Sequence, residues 1–343
     1  KVRNKNLFFS NDVKGAISKA DIIFLSVNTP TKIKGIGKGK ASNLEYLENS
    51  VREIAKYSKG HTIIVEKSTV PVKTAETIEL LLNSSCLDNV NDEKKTYSVI
   101  SNPEFLAEGS AIKDLEKPDR VLIGGKDQNA VKEIKELYLS WVSSEKILTT
   151  NLWSSELSKL TANAFLAQRV SSINTISAIC EKTGANIAEV SRAIGTDQRI
   201  GKNFLNAGPG FGGSCFKKDI LSLVYLCIYY RLDEIAKYWE NVIAINNWQQ
   251  DRISRLIIGN LFGTIENKKI AILGFAFKAD TNDTRESPAI KISKNLLQEG
   301  AKLSIYDPKV EEEKINFELN SCFDDVACSI DKSKWKKFDS IED

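Results

Sequence analysis

HTIIVEKSTVP, His61–Pro71, is a β-branched apolar run that breaks into a polar turn at a proline. ADIIFLSVNTP (Ala20–Pro30) and YSVISNPEF (Tyr97–Phe105) have the same shape. Between these runs lie Asn43–Ser58 and Val72–Leu82, which carry apolar residues at helical spacing. RVLIGG at Arg120–Gly125 and a helical Ala130–Val142 follow. Short strands alternating with amphipathic helices specify an α/β fold with a parallel sheet covered on both faces. Ligands of such sheets bind beyond the carboxyl ends of the strands. The segments VNTPT, STVPV and SNPEF are therefore the expected contact loops.

From Trp153 the pattern changes. SSELSKLTANAFLAQRVSSINTISAICEKTG is one long apolar-periodic helix, with serines as caps at its start and Gly184 closing it. Helical runs continue through Asn186–Ile194, Lys217–Tyr230 and Glu234–Leu261. Strands return with KKIAILGFAF and KLSIYDP, on either side of a helix near Ile290–Gln298.

The net charge is +3, from 48 Lys and Arg against 45 Asp and Glu, with no basic stretch interleaved with aromatics. Nucleic-acid binding has no support in that balance. The apolar runs are too short to span a bilayer. Six cysteines show no CxxC pair, and no charged-then-apolar leader is evident, so a reduced cytoplasmic chain is expected. A single histidine, His61, starts a strand; no His-rich metal site can be built, and no metal is expected. There is no methionine, and the abrupt ends suggest an excerpt of a longer chain.

A dinucleotide fold should show G-x-G-x-x-G after its first strand, and none occurs. KGIGKGKA (Lys34–Ala41) is a near miss that reads as a basic loop. GPGFGGSC (Gly208–Cys215) differs, because its glycines allow positive φ and close approach of main chain to a ligand. Ser214 is placed to cap the next helix, with Cys215 in the first turn beside Lys217 and Lys218. The residue types leave Cys215 open between a reactive thiol and a small buried one.

In order and at matching spacing, VNTPT, EKSTVPV, SNPEFLAEG, SELSKLTANAFLAQR, DQRIG, GFGGSCFKKD and GFAFKADTNDTRES resemble the UDP-glucose 6-dehydrogenases of the UDP-glucose/GDP-mannose dehydrogenase family. The likeness runs from Asp21 to Val310. It implies two Rossmann-like domains joined by a central helical region, with boundaries at 1–150, 151–263 and 264–343 and both terminal domains incomplete. It further implies oxidation of UDP-glucose to UDP-glucuronate with NAD as acceptor.

The resemblance also implies residue roles. Cys215 would trap the sugar aldehyde as a thiohemiacetal and then a thioester, a task that needs no histidine. Lys159 and Asn163, at i and i+4 on the long helix, would stabilise oxyanion charge and orient a hydroxyl or water. Asp219, one turn after Cys215, would hold a water or Lys159. Glu104 is the acid/base candidate, and Thr69 would position water or nicotinamide. NAD contacts are expected at Val27, Asn28, Thr29, Pro30 and Thr31, at Ser68 and Thr69, and at Glu108, Lys218 and Arg285. Substrate contacts are expected at Phe105, Leu106, Ala107 and Glu108 beside Glu104, and along Asn206, Ala207, Gly208, Pro209, Gly210, Phe211 and Gly212. Lys278 and Arg199 would meet the diphosphate, Arg199 in a neighbouring subunit, so a homo-oligomer is implied.

Dehydrogenases of GDP-mannose or UDP-N-acetylmannosamine share this plan, and so would an inactive member acting as an oligomer scaffold. A β-hydroxyacid dehydrogenase would need no cysteine at that position. A thiol hydrolase has no evident base histidine beside Cys215.

Overall fold

The computed structural model describes residues 2–87, 95–321 and 331–340. The chain divides into two compact units, Lys1–Thr161 and Ala162–Asp343.

The first unit contains α1 (Val13–Ile17), β1 (Ile22–Leu25), α2 (Glu45–Tyr57), β2 (His61–Glu66), α3 (Thr74–Leu87) and β3 (Thr96–Ser101). It continues with α4 (Ala111–Glu116), β4 (Val121–Gly125), α5 (Gln128–Leu139) and β5 (Ile147–Thr150). The strands form one sheet in the order β1-β2-β3-β4-β5. Alternation of side chains splits β2 between two cores. Ile64, with Val99 of β3, packs among Leu47, Val51 and Ile54 of α2 and Ile78 and Leu82 of α3. Ile63 and Val65, with Ile100 and Ile123, pack against Val131, Ile134 and Tyr138 of α5. Both faces are thus covered, and five of the six β2 residues are buried.

One strand departs from the parallel expectation. β3 and β4 pair antiparallel, through Ile100↔Gly125 and Ser101↔Gly124, while β1/β2, β2/β3 and β4/β5 are parallel. The connection from β3 to β4 holds only the six-residue α4, none of whose residues is buried, so no helix packs as a crossover there.

α6 (Leu152–Thr183) begins in the first unit and continues into the second. Its start differs in detail from the serine caps expected: Asn151 accepts from Ser154 N at 2.8 Å, and the serines lie within the first turn. Gly184 follows its last residue at φ 76°, the left-handed stop expected of a glycine.

The second unit adds α7 (Ile187–Gly195), α8 (Phe216–Tyr229) and α9 (Asp233–Asn260). Ala164 and Ala167 of α6 let Ile220 and Val224 of α8 and Val242 of α9 close into one core with Phe211. There follow β6 (Lys269–Leu273), α10 (Pro288–Gln298), β7 (Lys302–Tyr306), α11 (Glu312–Asn320) and β8 (Trp335–Phe338). β6, β7 and β8 form a parallel sheet in that order. Phe275, Leu296, Ile305, Ile315 and Leu319 form its core.

Candidate functional site

Two clusters gather most of the expected residues, one in each unit. In the first unit, the loops after β1 and β2 are tied together. Thr29 Oγ1 donates to the Thr69 carbonyl at 2.8 Å, and Ser68 Oγ donates to the Val27 carbonyl at 2.7 Å. Thr29 is buried, the Pro30 carbonyl accepts from Asn43 N at 2.6 Å, and Thr31 bridges Ser42. Val27 and Asn28 line an open cleft of about 490 Å³ together with Tyr46, Asn49 and Ser50 of α2. The loop Lys34–Ala41 turns through Gly35, Gly37 and Gly39 in left-handed backbone, and the Lys32 ammonium donates to the Ile36 carbonyl at 2.9 Å.

The loop after β3 carries Glu104. Its Oε1 lies 3.2 Å from the Lys159 ammonium, and its Oε2 accepts from Leu106 N at 2.6 Å. Lys159 is 4% exposed and also stands over the Phe105 ring, 5.4 Å from its centroid, so it is not a solvated helix-face lysine. Ala107 N donates to Asp114 at 2.9 Å, which anchors the loop to α4, and Glu108 is half-buried.

Several residues that sequence reasoning missed stand behind Glu104. The Lys67 ammonium donates to Asn102 Oδ1 at 3.0 Å and to Tyr138 OH at 3.2 Å. Tyr138 OH donates to Asn102 Oδ1 at 2.6 Å, and Asn102 Nδ2 donates to the Leu122 carbonyl at 2.7 Å. Burial pulls the Lys67 amine down to about 8, opposed by the charges of Glu104 and Glu66. Glu66 and Glu156 are 1% and 2% exposed. Burial pushes the Glu66 carboxyl well up, helped by the charge of Glu156, and Oε1 of Glu66 has no partner among the described residues. Glu156 is pushed up to about 7 by burial, helped by the charge of Glu76, against backbone bonds from Ala75, Lys73 and Thr74 that favour its charge. The bonds from Lys73 N and Ala75 N are 2.7 Å each, and they fix the start of α3. Lys67 and Glu66 both lie inside EKSTVPV, but nothing in residue type marks them as buried partners of Glu104 or Glu156.

In the second unit, Cys215 is exposed and is the N-cap of α8, with no side-chain cap. This corrects the expectation that Ser214 caps and Cys215 enters the first turn. Ser214 Oγ lies 3.5 Å from Cys215 Sγ, near the thiol. Asp219, 1% exposed, donates its amide to the Cys215 carbonyl at 2.8 Å. Its Oδ2 accepts from Asn163 Nδ2 at 2.5 Å, and the Lys218 ammonium lies 3.6 Å from Oδ1. Lys217 is engaged elsewhere, by Glu286 at 2.8 Å.

The glycine loop before Cys215 is clamped by three buried amide side chains, also missed. Asn174 Oδ1 accepts from Gly208 N at 2.9 Å, and Gln249 Nε2 donates to the Gly208 carbonyl at 2.9 Å. Asn246 takes both polar groups of Phe211, its Oδ1 accepting from N at 2.7 Å and its Nδ2 donating to O at 3.1 Å. A Cβ on Gly210, at φ 122°, would stand 2.7 Å from Asn246 Oδ1. A Cβ on Gly212 would stand 2.5 Å from the Glu286 carbonyl. Asn206 is exposed, Ala207 half-buried and Pro209 exposed.

Arg285 is exposed and paired with Asp283 at 2.6 Å, while its carbonyl accepts from Gly213 N at 2.8 Å. Lys278 is exposed beside Phe277. Arg199 is exposed, with its fork on its own Asp197, and meets none of the clusters above within the second unit. No group of three or more His, Cys, Asp and Glu among the described residues could hold a metal ion.

Three models of one family match the chain in order. They are the NAD binding domain of the UDP-glucose/GDP-mannose dehydrogenase family at residues 1–142, its central domain at 153–248 and its UDP binding domain at 271–343. The chain is similar to the structure of a UDP-glucose dehydrogenase from the archaeon Pyrobaculum islandicum, with a TM-score of 0.79 and 31% identity, over 89% of this chain and 68% of that one. The chain belongs to the UDP-glucose/GDP-mannose dehydrogenase family. Within the family, it is 59% identical to the UDP-glucose 6-dehydrogenase of Gallus gallus over 322 residues, 93% of this chain and 64% of that protein. It is 58% identical to UDP-glucose 6-dehydrogenase 1 of Glycine max, again over 93% of this chain and 66% of that protein. The chain spans slightly less than two thirds of the length of these relatives.

Proposed function

We propose that the protein oxidises UDP-glucose to UDP-glucuronate in two successive two-electron steps, with NAD as the acceptor and Cys215 as the covalent trap. The observation that carries this reading is the exposed thiol at the head of α8, one turn before the buried Asp219–Asn163 pair, in a chain with a single histidine. Such a thiol suits an aldehyde trap better than a hydrolase, which would need a base beside it. The identity of 57–59% to the curated UDP-glucose 6-dehydrogenases favours glucose as the sugar.

The first unit fits a dinucleotide. Its cleft offers an asparagine side chain from the loop after β1 and an asparagine, a serine and a tyrosine from α2, a donor set suited to a nucleoside. Val27–Thr31, Ser68 and Thr69 would hold NAD, with Glu108, Lys218 and Arg285 completing the contacts. When bound, NAD accepts the hydride lost from the sugar carbon in each oxidation.

The chain's own residues supply the rest. Lys159 stabilises negative charge on the reacting oxygen. Cys215 Sγ adds to the aldehyde carbon, and the oxygen takes a proton, giving a thiohemiacetal. Once the second hydride has left and the oxygen has released its proton, the carbon is a thioester. Water adds to it, the C–S bond breaks, and the thiolate returns to Cys215 while the carbon leaves as a carboxylate. Glu104 moves the water's protons, and Asn163, Asp219 and Thr69 orient the hydroxyl or water. Phe105, Leu106 and Ala107, together with Asn206–Gly212, seat the sugar nucleotide, with Lys278 and Arg199 at the diphosphate. Arg199 would serve a neighbouring subunit of a homo-oligomer, and its exposed guanidinium suits that role. We also place the protein in the cytoplasm, where its free thiols Cys180, Cys215 and Cys227 stay reduced. The domain division at 1–150, 151–263 and 264–343 belongs to the same reading.

The test is NADH formation by the full encoded protein with UDP-glucose, GDP-mannose and UDP-N-acetylmannosamine. Two NADH per UDP-glucose and a preference for that sugar are expected. Preference for a GDP sugar would overturn the choice of substrate. No NADH with any of the three would favour a scaffold.

A further inference from the structure

The Glu104–Lys159 pair has a second cation beside it that the reaction above does not use. Lys67 follows β2 and lines the same cavity of about 110 Å³ as Glu104, Phe105, Arg120 and Tyr138. Its ammonium is fixed by two acceptors, Asn102 Oδ1 and Tyr138 OH, which are themselves bonded to one another. Asn102 is anchored in turn on the Leu122 carbonyl of β4, so the amine is mounted on the sheet and not on the loop. Glu104 is held differently, by one backbone amide of its own loop and by Lys159 of α6.

We propose that Lys67 is a positioning residue for Glu104: its sheet-mounted positive charge, in the cavity the two share, steadies the carboxylate on Lys159 so that it can receive and return protons. This rests on the reading of Glu104 as the proton-moving group. Five groups face Lys67. They are Asn102 at the end of β3, Tyr138 of α5, Glu104 of the following loop, Glu66 at the end of β2 and Lys159 of α6. The two carboxylates favour the ammonium, and Lys159 opposes it. Burial among them brings its loss of charge to about 8, so the positioning is complete at neutral pH and fades as pH rises through that value.

The experiment compares Lys67→Met, Lys67→Arg and Glu104→Gln in the full encoded protein, with kcat and KM measured from about pH 6.5 to about pH 9.5. Lys67→Met should fold, lower kcat about tenfold and leave KM for UDP-glucose within about twofold, the split expected of an interaction used after binding. Lys67→Arg stays charged at every pH tested, so it should recover most of kcat and hold it above about pH 8, where the parent declines. A wild-type kcat in Lys67→Met overturns the proposal. So does an identical alkaline decline in Lys67→Arg and the parent, which also decides the matter if Lys67→Met fails to fold. Glu104→Gln reads the other half independently: wild-type turnover there would overturn the role of Glu104 itself, whatever the Lys67 variants do.

Discussion

Glu156→Gln should destabilise the protein at acid pH and recover much of that deficit as pH rises. Glu156 is buried, and its carboxyl is pushed from 4.5 to about 7 in the folded chain. Between those values the folded chain keeps a proton that the unfolded chain has released. Stability therefore falls as pH rises from about 4.5 to about 7. At about 1.4 kcal/mol per unit, the loss attributable to this group is about 3 kcal/mol. A glutamine is neutral like the protonated acid but has a single acceptor oxygen, so one of the amides of Lys73 and Ala75 would face an NH2 donor and lose its bond. The variant should therefore be less stable than the parent near pH 5, by about 1–3 kcal/mol. At pH 8, where the parent carries a buried charge, that deficit should shrink by up to about 3 kcal/mol. Urea unfolding at a series of pH values, followed by tryptophan fluorescence, reads this directly. The charge of Glu156 helps raise the Glu66 carboxyl, so the difference between the two proteins reads Glu156 together with its effect on Glu66. Parallel pH profiles for variant and parent would refute the argument.

Cys215→Ser should abolish steady NADH production while UDP-glucose binding, measured calorimetrically, stays within a few-fold of the parent; glucuronate at the parental rate would refute the trap. Asn246→Ala strips both partners from Phe211's backbone, so it should cost about 2–4 kcal/mol in urea unfolding and raise KM for the sugar nucleotide. Gly210→Ala should act on the same loop, because the added methyl meets Asn246 in a backbone conformation that disfavours side chains; an unchanged KM would disconnect the loop from the substrate. Phe275→Ala empties a fully buried position under the three-stranded sheet and should cost about 3–5 kcal/mol in unfolding.

Much of the fold was legible because its signals are local. The run HTIIVE became β2 with five of its six residues buried, and the periodic stretch closed by Gly184 became α6. What escaped was short or polar. β5 and β8 have four residues each, and α4 has six with none buried, so periodicity had little to work on. The reversal of β4 against β3 is set by pairing between distant segments, which no local pattern records. The site divides in the same way. Cys215, Asp219 and Asn163 were named as candidates from motifs, and the structure joins the last two at 2.5 Å. Lys67, Glu156, Asn174 and Asn246 act through residues roughly 30–85 positions away, and their residue types are ordinary for helices and turns.

The loops after β1 and β2 exchange two hydroxyl-to-carbonyl bonds, one in each direction. Two segments laced in this way share a single opening equilibrium, and neither can fray without breaking a bond of the other. Their amide protons should therefore exchange at a common rate, and a change at Thr29 should loosen Thr69 as surely as a change at Thr69 itself. The protein then presents one pre-ordered rim where the sequence suggested two separate turns, and most of the ordering entropy of that rim is spent during folding, before any ligand arrives.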